Sequence, residues 1–183
     1  MSDLLVFLRR FVSRPGQVGS VIPSSRFLSS LMMKNVPWEQ VGHIAELGPG
    51  TGVFTRAILT QMKKDARFFI VERDPQFQQM LHHRFPQVPI CSEAVRLSEY
   101  MNELNIPSLD AIVSGLPFAV FPEKLRSDIL DCVVESLEPD GVFVTFQYSL
   151  QLKNELESRF STVDIKFTPF NIPPAFVYVC KKR

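Results

Sequence analysis

Short apolar runs alternate with amphipathic stretches along most of the chain. Runs at 42–47, 68–72, 88–91, 109–114 and 141–148 have the length and the β-branched and aromatic content of buried strands. Between them, around 53–63, 75–85, 93–104 and 122–137, apolar residues recur at helical spacing. A repeating strand–helix order predicts a doubly wound α/β fold, mostly parallel, with helices on both faces of the sheet. Past a helical stretch at 150–160 the alternation stops. Two strand-like runs, 162–167 and 175–181, follow with no helix between them, which predicts a seven-stranded sheet ending in an antiparallel hairpin at one edge.

The N-terminal residues follow a different pattern. Over 2–13, Leu4, Leu5, Leu8, Phe11 and Val12 fall on one helix stripe, with Arg9 and Arg10 off it and Val6 and Phe7 widening the apolar arc. Such a helix suits an anionic membrane interface, and equally suits packing on the domain's own sheet. Residues 1–36 hold Arg9, Arg10, Arg14, Arg26 and Lys34 against Asp3 alone, a balance of +4. The whole chain carries +1, so the remainder carries −3. The chain is accordingly read as an N-terminal amphipathic, basic helical segment, 1–36, and a domain, 37–183, within one globular unit. Ser24 and Ser25 are placed to cap a helix over 26–34.

With 183 residues, 45% of them hydrophobic and 21% charged, the chain can bury a single core. Cys91, Cys132 and Cys180 have no C-x-x-C spacing and read as free thiols, and His43, His82 and His83 have no zinc spacing, so no metal site is expected. There is no signal-peptide pattern and no run approaching about 18 apolar residues. A cytoplasmic chain, peripherally associated with the inner face of the cell membrane, is expected.

Candidate chemistry begins at Glu46-Leu-Gly-Pro-Gly-Thr-Gly52, where a strand turns into a helix. Gly48, Gly50 and Gly52 allow backbone to approach a ligand and aim the amides of the helix start at it. Glycine also serves ordinary tight turns, but Glu72 closes the next strand about 20 residues later, where a ribose-binding acid of a nucleotide fold stands. Together they point to a nucleoside ligand.

Glu-x-Gly-x-Gly-x-Gly followed by an acid at the end of the next strand resembles motifs I and II of the class I S-adenosylmethionine-dependent methyltransferases, a Rossmann-like fold. The resemblance implies S-adenosyl-L-methionine as cofactor, with Glu46 facing its methionine amino group, Gly48 and Gly50 passing beneath it, Gly52 completing the turn and Glu72 holding the ribose. Glu93-Ala94 matches the family's acid–Ala pair beside the adenine amine, with Glu for the commoner Asp. Ser114-Gly-Leu-Pro-Phe118 occupies the place of the Asn/Asp-x-Pro-aromatic motif of amine-directed members. Ser114 would lie on the donor side, Gly115 fills the Asn slot, the carbonyls of Gly115 and Leu116 are left to accept the target N–H bonds, and Phe118 is the aromatic. Tyr148 is a substrate-facing hydroxyl or a core Tyr. Asn171-Ile-Pro-Pro-Ala175 forms a lip over the crevice.

With Gly19-Ser-Val-Ile-Pro-Ser-Ser-Arg26 added, these motifs look like the bacterial phospholipid N-methyltransferases of the rRNA-adenine-dimethylase-like group. That resemblance implies stepwise methylation of phosphatidylethanolamine towards phosphatidylcholine by an enzyme held on an anionic membrane through residues 2–14. Open alternatives are an rRNA adenine N6-methyltransferase, a methyltransferase of a small amine or lipophilic phenol, and a non-catalytic donor-binding adaptor. Gly115 in the Asn slot, a near-neutral charge and no appended RNA-binding domain disfavour nucleic acid.

Overall fold

The computed structural model describes residues 26–182. The helix expected over 2–13, the membrane segment 2–14 and the Ser24/Ser25 cap lie outside the described residues. The elements run α1 (Arg26–Met33), β1 (His43–Leu47), α2 (Val53–Gln61), β2 (Arg67–Val71), α3 (Pro75–Arg84), β3 (Ile90–Cys91), α4 (Leu97–Glu103), β4 (Leu109–Ser114), α5 (Glu123–Ser136), β5 (Leu137–Gln147), α6 (Lys153–Glu157), β6 (Thr162–Thr168) and β7 (Ala175–Lys181).

The strands form one sheet in the order β3-β2-β1-β4-β5-β7-β6. The first five are parallel, and β7 enters antiparallel between β5 and β6. The doubly wound sheet and its terminal hairpin are as the hydrophobic pattern predicts. Alternation along the strands divides the core between two faces. Ile44, Ile70, Val113, Val144 and Val177 meet Leu28 and Met32 of α1, Phe54 and Ile58 of α2 and Leu81 of α3. Leu47, Phe69, Ile112 and Phe143 meet Leu97 and Met101 of α4, Ile129 and Val133 of α5 and Leu156 of α6. Both faces of β1, β4 and β5 are therefore buried, which is why these strands read as nearly continuous apolar runs. Asp74 caps α3, accepting from the amides of Gln76 and Phe77, with Pro75 in the first turn.

Two boundaries differ from the pattern. The strand expected at 141 begins at Leu137, because the register with β4 jumps from Leu109–Leu137 to Ala111–Val142 across a bulge with Asp140 at φ 63°. The helix expected over 150–160 contracts to α6, whose flanks are turns.

Parallel order places the carboxyl ends of β1 to β5 on one rim, and the antiparallel β7 starts there. Gln147 at the end of β5 pairs with Phe176 near the start of β7, and Thr168 at the end of β6 pairs with Ala175. The turn 169–174 therefore shares the rim with every segment that follows a parallel strand.

Candidate active site

The glycine turn leaves β1 with Gly48, Gly50 and Gly52 all at positive φ, a region L side chains rarely adopt. The surroundings of the first two differ. A methyl group on Gly48 would meet the Leu116 side chain at 2.7 Å, whereas one on Gly50 would meet nothing within 4 Å. Gly48 thus serves packing between the two central loops, and Gly50 faces open space. Glu72 ties this turn to the end of β2. Its Oε2 accepts from the Gly50 amide at 3.0 Å and its Oε1 from the Asp74 amide at 2.9 Å. Burial raises the Glu72 pKa, opposed by those backbone bonds.

Glu46 lies deeper, fully buried at the end of β1. Oε2 accepts a 2.6 Å hydrogen bond from Thr55 Oγ1 of α2, while Oε1 is buried with no partner. Burial is the main reason its pKa is pushed up to about 8; the Glu72 charge adds to the rise and Thr55 opposes it. A buried carboxyl oxygen without a donor is costly unless something cationic or protic arrives to satisfy it. Glu46 Oε1, the open space at Gly50 and the Glu72 carboxylate fit a donor with an ammonium group and a ribose.

Glu93 and Ala94 follow β3 on the same rim. Glu93 is half-exposed, 3.7 Å from Arg73, and its amide donates to the Tyr100 hydroxyl at 3.2 Å. Ala94 opens a single 3-10 turn. Gln78 of α3 braces this corner, donating to the Glu72 carbonyl at 2.6 Å and to Ser92 Oγ at 3.1 Å.

The loop after β4 forms the other wall. Ser114 is fully buried. Its hydroxyl accepts from the Leu116 amide at 3.2 Å, and its carbonyl accepts from Thr145 Oγ1 at 3.2 Å. Gly115 is pressed so closely on the glycine turn that a methyl group there would lie 2.7 Å from the Gly48 carbonyl oxygen. The Leu116 carbonyl, expected to receive the target amine, already accepts from the Phe118 amide and from Gln147 Nε2, each at 3.0 Å, so both its lone pairs are engaged. Phe118, the aromatic of that motif, is fully buried. Its ring sits edge-on to Phe121 and Phe143 in the core of the sheet face opposite Tyr148.

Tyr148 directly follows β5. Its ring packs edge-on against Phe146, which packs in turn against Phe54 of α2. Its hydroxyl pairs with the side chain of Asn171 in the 169–174 turn, and burial raises its pKa, keeping the phenol protonated at neutral pH. Asn171 also donates to the Pro173 carbonyl at 2.7 Å, which fixes the turn. Thr55 and Gln147 are the site residues that motif reading passes over. Gln147 is only 3% exposed, and besides holding Leu116 it accepts from the Ala119 amide at 3.3 Å. A polar residue at an inward position of an apolar strand is the signal that marks it.

No protein-family model matches the chain. An ornithine lipid N-methyltransferase of Singulisphaera acidiphila is 34% identical over 186 residues, spanning 99% of this chain and 97% of that protein. Among solved structures, the N-methyltransferase NodS of Bradyrhizobium japonicum, in complex with S-adenosyl-L-homocysteine, superposes with a TM-score of 0.72 over 99% of both chains at 12% identity. The O-methyltransferase TomG of Streptomyces achromogenes, in complex with S-adenosylmethionine, gives 0.70 over 100% of this chain and 91% of its own at 13% identity.

Proposed function

The chain belongs to the family of the ornithine lipid N-methyltransferase and is an S-adenosylmethionine-dependent N-methyltransferase; from that premise we propose that its acceptor is the primary amine of a membrane-lipid head group. The observation that carries the reading is the likeness to a lipid N-methyltransferase along the whole chain. The uncharged acceptor side is consistent with it: Gly115, Gln147, Tyr148 and Asn171 suit a neutral amine.

On the donor side, Glu46, Gly50, Glu72 and the Glu93–Ala94 corner would hold S-adenosylmethionine, which when bound supplies a methyl group activated by its sulfonium, while Gly48 packs the turn against Leu116. Glu46 Oε1 is the oxygen for the ammonium end. Each Glu72 oxygen holds one backbone amide and keeps lone-pair capacity for a ribose hydroxyl. On the acceptor side, a lipid ammonium with a pKa of about 10 must lose a proton before its nitrogen has a lone pair to offer. The oxygen of the Tyr148 hydroxyl would accept an N–H bond from that nitrogen, leaving its lone pair free to face the methyl group, and water takes the proton. The Gly115 carbonyl takes the role expected jointly of Gly115 and Leu116. Catalysis on this reading is mainly positioning.

Two head groups with such an amine are candidates. The sequence motifs favour phosphatidylethanolamine, and the 34% identical relative favours ornithine lipid, whose ornithine side chain ends in a primary amine. Methyl-labelled S-adenosylmethionine should be given to the protein with vesicles containing one or the other, and the extracted lipids resolved by methylation state. Label in one lipid names the acceptor. Label in neither, with donor bound, would sink the lipid reading. Among the described residues no helix is long and apolar enough to cross a membrane.

A further inference from the structure

The rim that carries the crevice also carries an apolar patch. Phe170 is 67% exposed, Ile172 76% and Phe27 58%, and the rings of Phe27 and Phe170 meet with centroids 5.1 Å apart. Side chains of this size are ordinarily covered, and a contiguous exposed group of them marks an interaction site. Phe170 and Ile172 flank Asn171, which points inward to Tyr148. The patch is thus continuous with the acceptor wall. From Phe167 to Cys180 the chain has no charged residue, and Pro169 and Pro174 of the turn are exposed as well. Proline and the Asn171 bond to Pro173 stiffen the turn, so its apolar side chains are presented on a firm backbone.

Charge and chain path indicate what covers it. Residues 1–26 hold Arg9, Arg10, Arg14 and Arg26 against Asp3, a balance of +3, and the next residue in the chain is Phe27, within the patch. A basic segment that leads in sequence into exposed aromatic and aliphatic side chains matches an anionic lipid surface, charge to head group and apolar group to acyl boundary. Resting on the lipid-acceptor reading above, we infer that Phe27, Phe170 and Ile172 form a docking surface that enters the head-group region of an anionic membrane and sets the mouth of the crevice against it. The acceptor amine then reaches Tyr148 while its acyl chains stay in the bilayer.

The full chain and the Phe27→Ser/Phe170→Ser variant should be compared on three readouts: co-sedimentation with vesicles of phosphatidylethanolamine and phosphatidylglycerol, donor affinity by calorimetry, and methylation of dispersed short-chain phosphatidylethanolamine. The expected result is vesicle binding weakened about tenfold or more, with donor affinity and short-chain turnover unchanged. Unchanged vesicle binding overturns the inference. If the wild type methylates no lipid in any form while the variant still loses vesicle binding, the acceptor reading falls and the docking surface stands. A Phe170→Trp variant separates other occupants. Its added emission should shift to the blue only when vesicles are present. Emission already blue in their absence and unmoved by them would place residues 1–25 over the patch, and emission that shifts with protein concentration, alongside dimerisation, would assign it to a second copy; either outcome overturns the inference.

Discussion

On the proposed donor side, Glu46 is distinguished by a retained proton. Its carboxyl moves from an ordinary value of 4.5 in the unfolded chain to about 8 in the donor-free fold. Between those values the folded protein retains a proton that the unfolded chain has released, so stability falls as pH rises through this window and is level below it. Glu46→Gln should remove that slope and leave the donor-free protein roughly 1–3 kcal/mol more stable than wild type at pH 8, as read by urea denaturation at pH 5 and pH 8. The same variant should bind donor at least about tenfold more weakly, because a neutral amide loses the charge-assisted bond to an ammonium. Wild-type donor affinity should rise with pH up to about 8, where the carboxylate no longer has to be formed at a cost. A flat affinity over pH 6–8 would remove the ammonium assignment. Tyr148 makes a separate prediction. Tyr148→Phe keeps the ring against Phe146 but removes the hydroxyl, so turnover should fall about tenfold with donor affinity intact.

The acceptor loop depends on the strand beside it. Gln147 of β5 holds the Leu116 carbonyl with one end of its amide and the Ala119 amide with the other. Gln147→Leu would leave buried polar groups of the loop with fewer partners, at about 1–3 kcal/mol of stability. Denaturant unfolding should show that loss, and single-turnover kinetics should show a slower methyl transfer with donor affinity nearly unchanged. An equal loss in both would mean that the loop supports the donor as well. This clamp was not legible in the sequence, because its partners lie 31 and 28 residues away and nothing local joins them. The strand–turn–helix around Gly48–Gly52 and the acid at Glu72 were legible, since backbone conformation and strand ends are written locally. The direction of the Phe118 ring was not legible for a related reason. A motif position fixes where the backbone passes and not which way a ring turns; here apolar space between Phe121 and Phe143 took it into the core. The early start of β5 escaped because the Pro139-Asp140-Gly141 turn signal marks a bulge inside the strand rather than its beginning.

Across the whole molecule, the proposed site draws on strand ends at 46, 72, 93, 115 and 148, so a ligand bridging them should stabilise the fold as a unit. At about 100 times its dissociation constant, donor adds about 2.7 kcal/mol, which for a chain of this size raises the melting temperature by about 5–10 °C. Glu72→Ala should lose most of that rise at the same donor concentration in a thermal scan. A full rise in the variant would remove Glu72 from the donor site. One feature of the sheet bears on how the protein is made. Strand β7, the last of the seven in the chain, is the one that lies between β5 and β6. On the ribosome, β1 to β5 can therefore pair while β6 still has no neighbour, and the outer edge of β5 stays open until residues 175–181 have emerged. A message cut short before that point would forfeit two strands rather than one, and would release a chain with an unpaired, apolar edge prone to stick to its own kind.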